Sequence, residues 1–268
     1  MRLRIPALII LALAAGNAFS QDRSFARTYN STVLSKGSID LEFWHTSRLG
    51  HRNEFFHGQD QRMEIEFGLG KNLQTAFYFN RFQKTGIDSF NNNTTSGEIG
   101  FSNEWKWKMS DPINNKIGSA LYAEIGWRGD EIELETKLIL DKQIGSNIFA
   151  FNLVAEFEAE IQRENGDTKT KFEETPIELD FAYMRNLSTK MGIGVEVVNH
   201  NDINKDNGWE NSVWYAGPTF TFRNNKWFLI ANFLPQLFNG HKTVYFPDKR
   251  VLDEHEKFEG RLLFGISL

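Results

Sequence analysis

The sequence contains no cysteine. That excludes a disulfide scaffold, a lipoprotein anchor on cysteine, a cysteine nucleophile and a thiolate metal site. A chain of 268 residues without cross-links must be held by its fold alone. Long apolar runs are missing too. Beyond the N-terminus none approaches the roughly 20 residues that a membrane-spanning helix needs, and mean hydropathy is negative. A membrane role would therefore need strands or surface contact. A basic excess is also absent. The formal net charge is −5, which argues against a nucleic-acid partner. The histidines have no metal-ligand spacing, and His51, His57, His200, His241 and His255 scatter through polar stretches. The composition implies neither cofactor nor metal.

The first twenty residues stand apart. Arg2 and Arg4 form a basic start, Ile5 to Ala15 is apolar, and Ala18-Phe19-Ser20 is a small-x-small site before Gln21. This is the pattern of a secretory signal peptide cleaved near Ser20/Gln21, and the apolar run is too short for an anchor. Loss of the two arginines takes the charge from −5 to about −7.

What is present is alternation. In Arg62 to Asn80, Met63, Ile65 and Phe67 alternate with Arg62, Glu64 and Glu66. After a Gly-Leu-Gly-Lys-Asn turn, Leu73, Thr75, Phe77 and Phe79 alternate with Gln74, Ala76, Tyr78 and Asn80. Period-two patterning gives a strand one apolar and one polar face, and a short Gly/Asn turn joins two such strands as a hairpin. The Gly68-x-Gly70 pair is that turn, not a nucleotide loop, because no helix follows. Similar segments start near Ser38, Thr94, Ile117, Glu131, Phe149, Thr175, Met191, Val213, Trp227 and Phe258. Together they predict an all-β, antiparallel, up-and-down transmembrane barrel of about twelve strands over residues 38–268. Residues 21–37 lack a period and are expected as a periplasmic tail or a plug folded into the barrel.

Two further patterns bear on which face is inside. Connections at 69–72, 109–116, 141–146, 184–188 and 223–226 are short, whereas those at 49–60, 82–93, 161–171, 199–211 and 238–256 are long and polar. Only the turn near Arg128 to Asp130 breaks this order. Short turns on one side and long loops on the other are the outer-membrane arrangement. On the apolar parity, Trp105, Trp107, Tyr183 and Trp227 fall near short turns, and Trp127 and Trp214 near long loops, as two interfacial girdles would. A soluble sandwich or lipocalin-like barrel would share the alternation with its faces reversed. Loop asymmetry, girdles and the signal peptide favour the membrane form.

Four pieces carry a resemblance: TVLSKGSIDLEFW, EIEFGLGKNLQTAFYFN, AGPTF followed by a tryptophan strand, and the closing FEGRLLFGISL. The chain resembles Gram-negative outer-membrane β-barrels, more narrowly the uncharacterised porin- and transporter-like ones. The resemblance implies an outer-membrane location among outer-membrane lipid and assembly by the barrel insertion machinery. That machinery's usual signal is a terminal aromatic. Here the chain ends in Leu268, with Phe264 inside the last strand.

The polar parity supplies the candidate site. Glu42, Arg62, Glu64, Glu66, Glu98, Glu104, Lys106, Glu124, Glu133, Glu135, Lys137, Glu156, Glu158, Glu178, Asp180, Lys190, Glu196, Glu259 and Arg261 are expected to line the lumen. They would either pair and fill it, or line a hydrated path with a carboxylate excess that favours cations or polar solutes. The leading expectation is a channel or transporter for small solutes. An alternative is a lipid acyl hydrolase on the outward face, with His45 as base, Ser47 as nucleophile and Gln61 orienting His45. A third is a non-conducting barrel whose loops bind something outside. Asp202-x-Asn204-x-Asp206 lacks the glycine and the twelfth-position glutamate of a calcium loop, Val213 standing there.

Overall fold

The structure, a computed structural model, describes residues 23–52, 54–87, 93–164, 167–172 and 174–268. The expected signal peptide and its cleavage site lie outside the described residues. The elements are β1 (Ile39–Leu49), β2 (His57–Gly70), β3 (Leu73–Ile87), β4 (Asn93–Ser110), β5 (Gly118–Arg128), β6 (Glu131–Ile144), β7 (Asn147–Glu164), β8 (Asp167–Phe172), β9 (Ile177–Asn186), β10 (Met191–Asn204), β11 (Gly208–Arg223), β12 (Trp227–Asn239) and β13 (Phe258–Ser267). Among the described residues there is no helix.

Each strand pairs antiparallel with its neighbours in sequence, and β1 also pairs with β13, which closes the sheet into a barrel. The seam register sets Phe43 opposite Phe264 and Thr46 opposite Arg261. The short β8 and the longer β9 both pair with β7, so they are two stretches of one barrel strand interrupted around Pro176. The barrel thus has twelve strands, as the alternation predicts, and closure leaves no unpaired edge.

The hairpin of Arg62 to Asn80 shows how the sequence does this locally. Gly70, Lys71 and Asn72 all have positive φ (82°, 53° and 63°). The two central residues of the Gly70–Leu73 turn are therefore left-handed, the conformation whose twist matches paired strands. Apolar side chains face outwards: Met63, Ile65, Phe77 and Phe79 are exposed, and Glu64, Glu66, Ala76 and Tyr78 are buried. An apolar exterior and a charged, packed interior form a barrel suited to lipid, not to water.

Several strands run further at the long-loop end than the alternation suggests. The expected loop at 199–211 is a hairpin, with β10 reaching Asn204 and β11 starting at Gly208. The expected loops at 82–93 and 161–171 are shortened in the same way by β3, β4, β7 and β8. The cause is that polar sequence extends a strand readily once both ladder partners continue, so polarity here marks departure from the membrane, not the end of pairing. A long connection remains between β12 and β13, and part of it folds back: Val251 and Leu252 are buried beside Val198, Val213, Tyr215 and Leu234.

Candidate functional site

Residues 23–37 precede the first strand and lie within the lumen. Their partners come from strands all around the barrel. The backbone N–H groups of Ala26, Arg27 and Thr28 donate to the Glu196 carboxylate at 3.1, 2.7 and 3.0 Å. Asn232 Nδ2 donates to the same carboxylate at 3.2 Å, so this buried charge is well satisfied. Three successive N–H groups converging on one carboxylate form an anion-binding nest. The Tyr29 N–H donates to Asn152 Oδ1 at 2.7 Å, Ser31 Oγ to Asp141 at 2.5 Å, and the Leu34 N–H to Gln74 Oε1 at 2.8 Å. Gly37 then donates to the Gly68 carbonyl, where the segment leaves the lumen at the short-turn end.

Side chains of the segment complete the core. Phe25 packs with Ile148, Ala150, Ala182 and Met184. The Arg23 guanidinium lies between two rings, 3.8 Å from the Tyr29 centroid and 3.9 Å from that of Trp44, with Glu42 at 3.6 Å. Arg27 reaches Glu178 at 2.5 Å and Glu259 at 3.5 Å. The fit is close: a Cβ on Gly68 would sit 2.0 Å from the Ser35 carbonyl oxygen.

Above this segment the lumen opens into a cavity of about 550 Å³, which Arg27 and Tyr29 floor. Its lining reaches the long-loop end at Phe56, Lys84, Glu98 and Glu254. Seven arginines and lysines and nine carboxylates line it, so its charge is nearly balanced. The signs are distributed unevenly. Glu131, Glu133, Glu135, Glu156 and Glu178 come from β6, β7 and β9, while Arg48, Arg62, Lys84 and Arg261 come from β1, β2, β3 and β13. Several pairs are internal to one wall: Arg48 bonds Asp60, Lys137 bonds Glu135 at 2.9 Å, and Arg128 bonds Glu131.

The connection between β12 and β13 is tied over one side of the mouth. His255 Nε2 lies 2.8 Å from Asp202, and Arg52 bonds Asp248 and Asp253. Burial pushes the His255 imidazole down, but the hydrogen bond and charge of Asp202 outweigh it and hold the pKa above its ordinary value. Glu174, at the break between β8 and β9, is pushed up to about 7 by burial and by repulsion from Glu158, Asp202, Glu210 and Glu254.

Of the residues expected in the lumen, Glu42, Glu64, Glu66, Glu104, Lys106, Glu124, Asp180, Glu196 and Glu259 are buried. Arg62, Glu133, Glu135, Lys137, Glu156, Glu158, Glu178 and Arg261 are half-buried. Glu98 is exposed at the mouth, where it meets Arg128 at 3.4 Å. Lys190 is a correction. It lies in the turn before β10, exposed, because the strand starts only at Met191 and the parity rule does not extend into a turn. Glu64, Glu66 and Glu104 approach one another as a buried carboxylate group, with the Tyr78 hydroxyl bonded to Glu104.

The alternation also missed several groups. Arg48 and Asp60 share the parity of Thr46 and Arg62, and could have been found by extending the strands outwards. Arg23, Arg27 and Tyr29 carried no such signal, since their segment has no period.

On the outward face, His45 Nε2 and Ser47 Oγ are 3.1 Å apart, and His57 Nε2 is 3.5 Å from the same hydroxyl. Gln61 stands opposite His45 in the ladder, but its oxygen accepts from Arg81 at 3.0 Å. An apolar groove lined by Phe43, Met63, Phe79, Leu262 and Phe264 runs beside them.

Residues 17–268 match the model of a family of unknown function, DUF6662. The chain belongs to that family. No curated protein matches it. Among solved structures, the COG4313 outer membrane channel from Pseudomonas putida F1 is similar with a TM-score of 0.63 at 8% identity, over 89% of this chain and 98% of that one. The β domain of the Bordetella autotransporter BrkA gives 0.58 at 8% identity, over 87% and 100%. The translocator domain of the autotransporter NalP from Neisseria meningitidis gives 0.52 at 12% identity, over 87% and 89%. At such identities the likeness is one of fold, and the fold of this family member is that of outer-membrane β-barrels.

Proposed function

We propose that this protein is an outer-membrane channel for small polar solutes, with the N-terminal segment as its inner constriction. The observation that carries the reading is the cavity of about 550 Å³, open at the long-loop end and floored by Arg27 and Tyr29. Its volume suits a small solute, and its charged lining replaces part of a solute's hydration. The short-turn half is filled by residues 23–37, so conduction requires that this segment shift. The balanced lining favours polar solutes over a simple preference for cations. In planar bilayers the folded protein should give small currents, and Glu196→Gln, which weakens the nest holding Ala26 to Thr28, should enlarge them. Absence of current from both proteins would overturn the reading.

A second reading rests on the 3.1 Å contact between His45 and Ser47 beside an apolar groove. As an acyl hydrolase, His45 would take the Ser47 proton as Oγ attacks an ester carbonyl, and water would release the acyl-enzyme. Gln61 is held by Arg81, so His45 lacks an orienting acceptor from that residue. Phospholipid hydrolysis by the folded protein that Ser47→Ala abolishes would establish it, and unchanged turnover in that variant would remove it.

A further inference from the structure

Most charges in the cavity are paired, and two are not. Arg62 on β2 and Glu133 on β6 both line the cavity. Neither makes a hydrogen bond or an ion pair within 4.0 Å with any described residue, although each is an electrostatic neighbour of the other. Arg62 has only a ring contact, with its guanidinium 5.8 Å from the Tyr78 centroid. The two also line a smaller recess together, so both side chains are reachable from one place. Around them the distribution of charge is polar across the barrel. Beside Arg62 stands Lys84 from β3. Beside Glu133 stands Glu156 from β7.

A free guanidinium presents a planar fork of donors that fits a carboxylate. A free carboxylate facing the same space accepts from an ammonium. A solute with one charge would satisfy one of these groups and stand beside a like charge on the other, a juxtaposition that costs affinity. A solute carrying both charges satisfies both.

We infer that the cavity is a binding site for zwitterionic solutes of amino-acid or short-peptide size, with Arg62 receiving the carboxylate and Glu133 the ammonium. The inference deepens the channel reading and rests on it for the route by which solute arrives. The near balance of seven basic and nine acidic side chains in the lining agrees with a net-neutral ligand.

The test is binding to the folded full-length mature protein in detergent micelles, read by saturation-transfer NMR at neutral pH. The probes are trialanine, N-acetyl-trialanine and trialanine amide, which differ only in which terminal charges they carry. Trialanine should bind at least about ten-fold more tightly than either blocked form, the scale of one charge-assisted contact. Arg62→Gln should bring trialanine down to the level of the amide, and Glu133→Gln to that of the N-acetyl form. Arg62→Lys and Glu133→Asp keep the charges and should retain most of the preference, provided that each variant shows the compact unheated gel band. Equal binding of the three probes, or an unchanged preference in both glutamine variants, overturns the inference. Permeation of a neutral sugar in proteoliposomes separates the two readings. Permeation without zwitterion preference leaves the channel and removes this site. Zwitterion-selective binding without permeation supports the site and removes the channel.

Discussion

Gly68 is a residue whose side chain must be absent. The Ser35 carbonyl occupies the space a Cβ would take, at 2.0 Å. Gly68→Ala should therefore displace the N-terminal segment rather than unfold the barrel, at a cost of about 1–3 kcal/mol, the usual range for overpacking. Faster tryptic cleavage at Arg23 and Arg27 with an unchanged barrel gel band is the expected outcome. Membrane-facing residues obey a different rule. Phe67 lies close to the turn at Gly70, so a charge there is nearer an interface, whereas Ile65, opposite Leu41 and Phe77, lies deeper. Ile65→Lys should cost roughly 2–4 kcal/mol and Phe67→Lys less, measurable by urea titration of refolded protein in lipid vesicles.

The connection from Gly240 to Lys257 belongs to the next scale. It is held at its far end by His255 on Asp202, with Asn211 Nδ2 also donating to Asp202 at 2.8 Å. Glu254, Glu256 and His200 are the other titratable groups near His255. A histidine whose pKa is raised on folding contributes stability below its unfolded value near 6.5, and that stability is lost as pH rises through the folded value. Tryptic cleavage at Lys249 and Arg250 should accelerate between pH 6 and pH 8, and Asp202→Asn should make the faster rate pH-independent. The pair is partly buried, so the effect is on the order of 1 kcal/mol. At this scale the sequence was most readable. Alternation located each membrane-facing strand, because lipid and lumen impose opposite demands on successive residues. It failed where those demands lapse: in the extended hairpin at Asn204–Gly208, in the turn holding Lys190, and in residues 23–37, whose order comes from partners more than a hundred positions away.

At the scale of the whole molecule, a closed barrel has no edge to fray, and unfolding must open the seam between β1 and β13. The compact form should survive sodium dodecyl sulfate without heating and migrate faster than the boiled chain. Identical mobility before and after boiling would count against a closed barrel. How the charged side chains divide the lumen between filling and passage was not readable from the strand pattern. Parity says that Glu196 and Glu133 both face inwards. Only the fold reveals that one is capped by three backbone N–H groups and the other by none.

The placement of residues 23–37 bears on how the molecule is built. These residues are made before any strand, yet they contact strands from β1 to β13, and Arg261 in the last strand donates to the Ala26 carbonyl at 3.2 Å. Such remote pairings are slow to find by diffusion along a free chain. The segment therefore serves as a mandrel: either the sheet is wound around it before the last strand meets the first, or it must thread into a finished ring through the narrow end. The first route needs no second opening of the wall, and it makes the start of the chain a template for its own end.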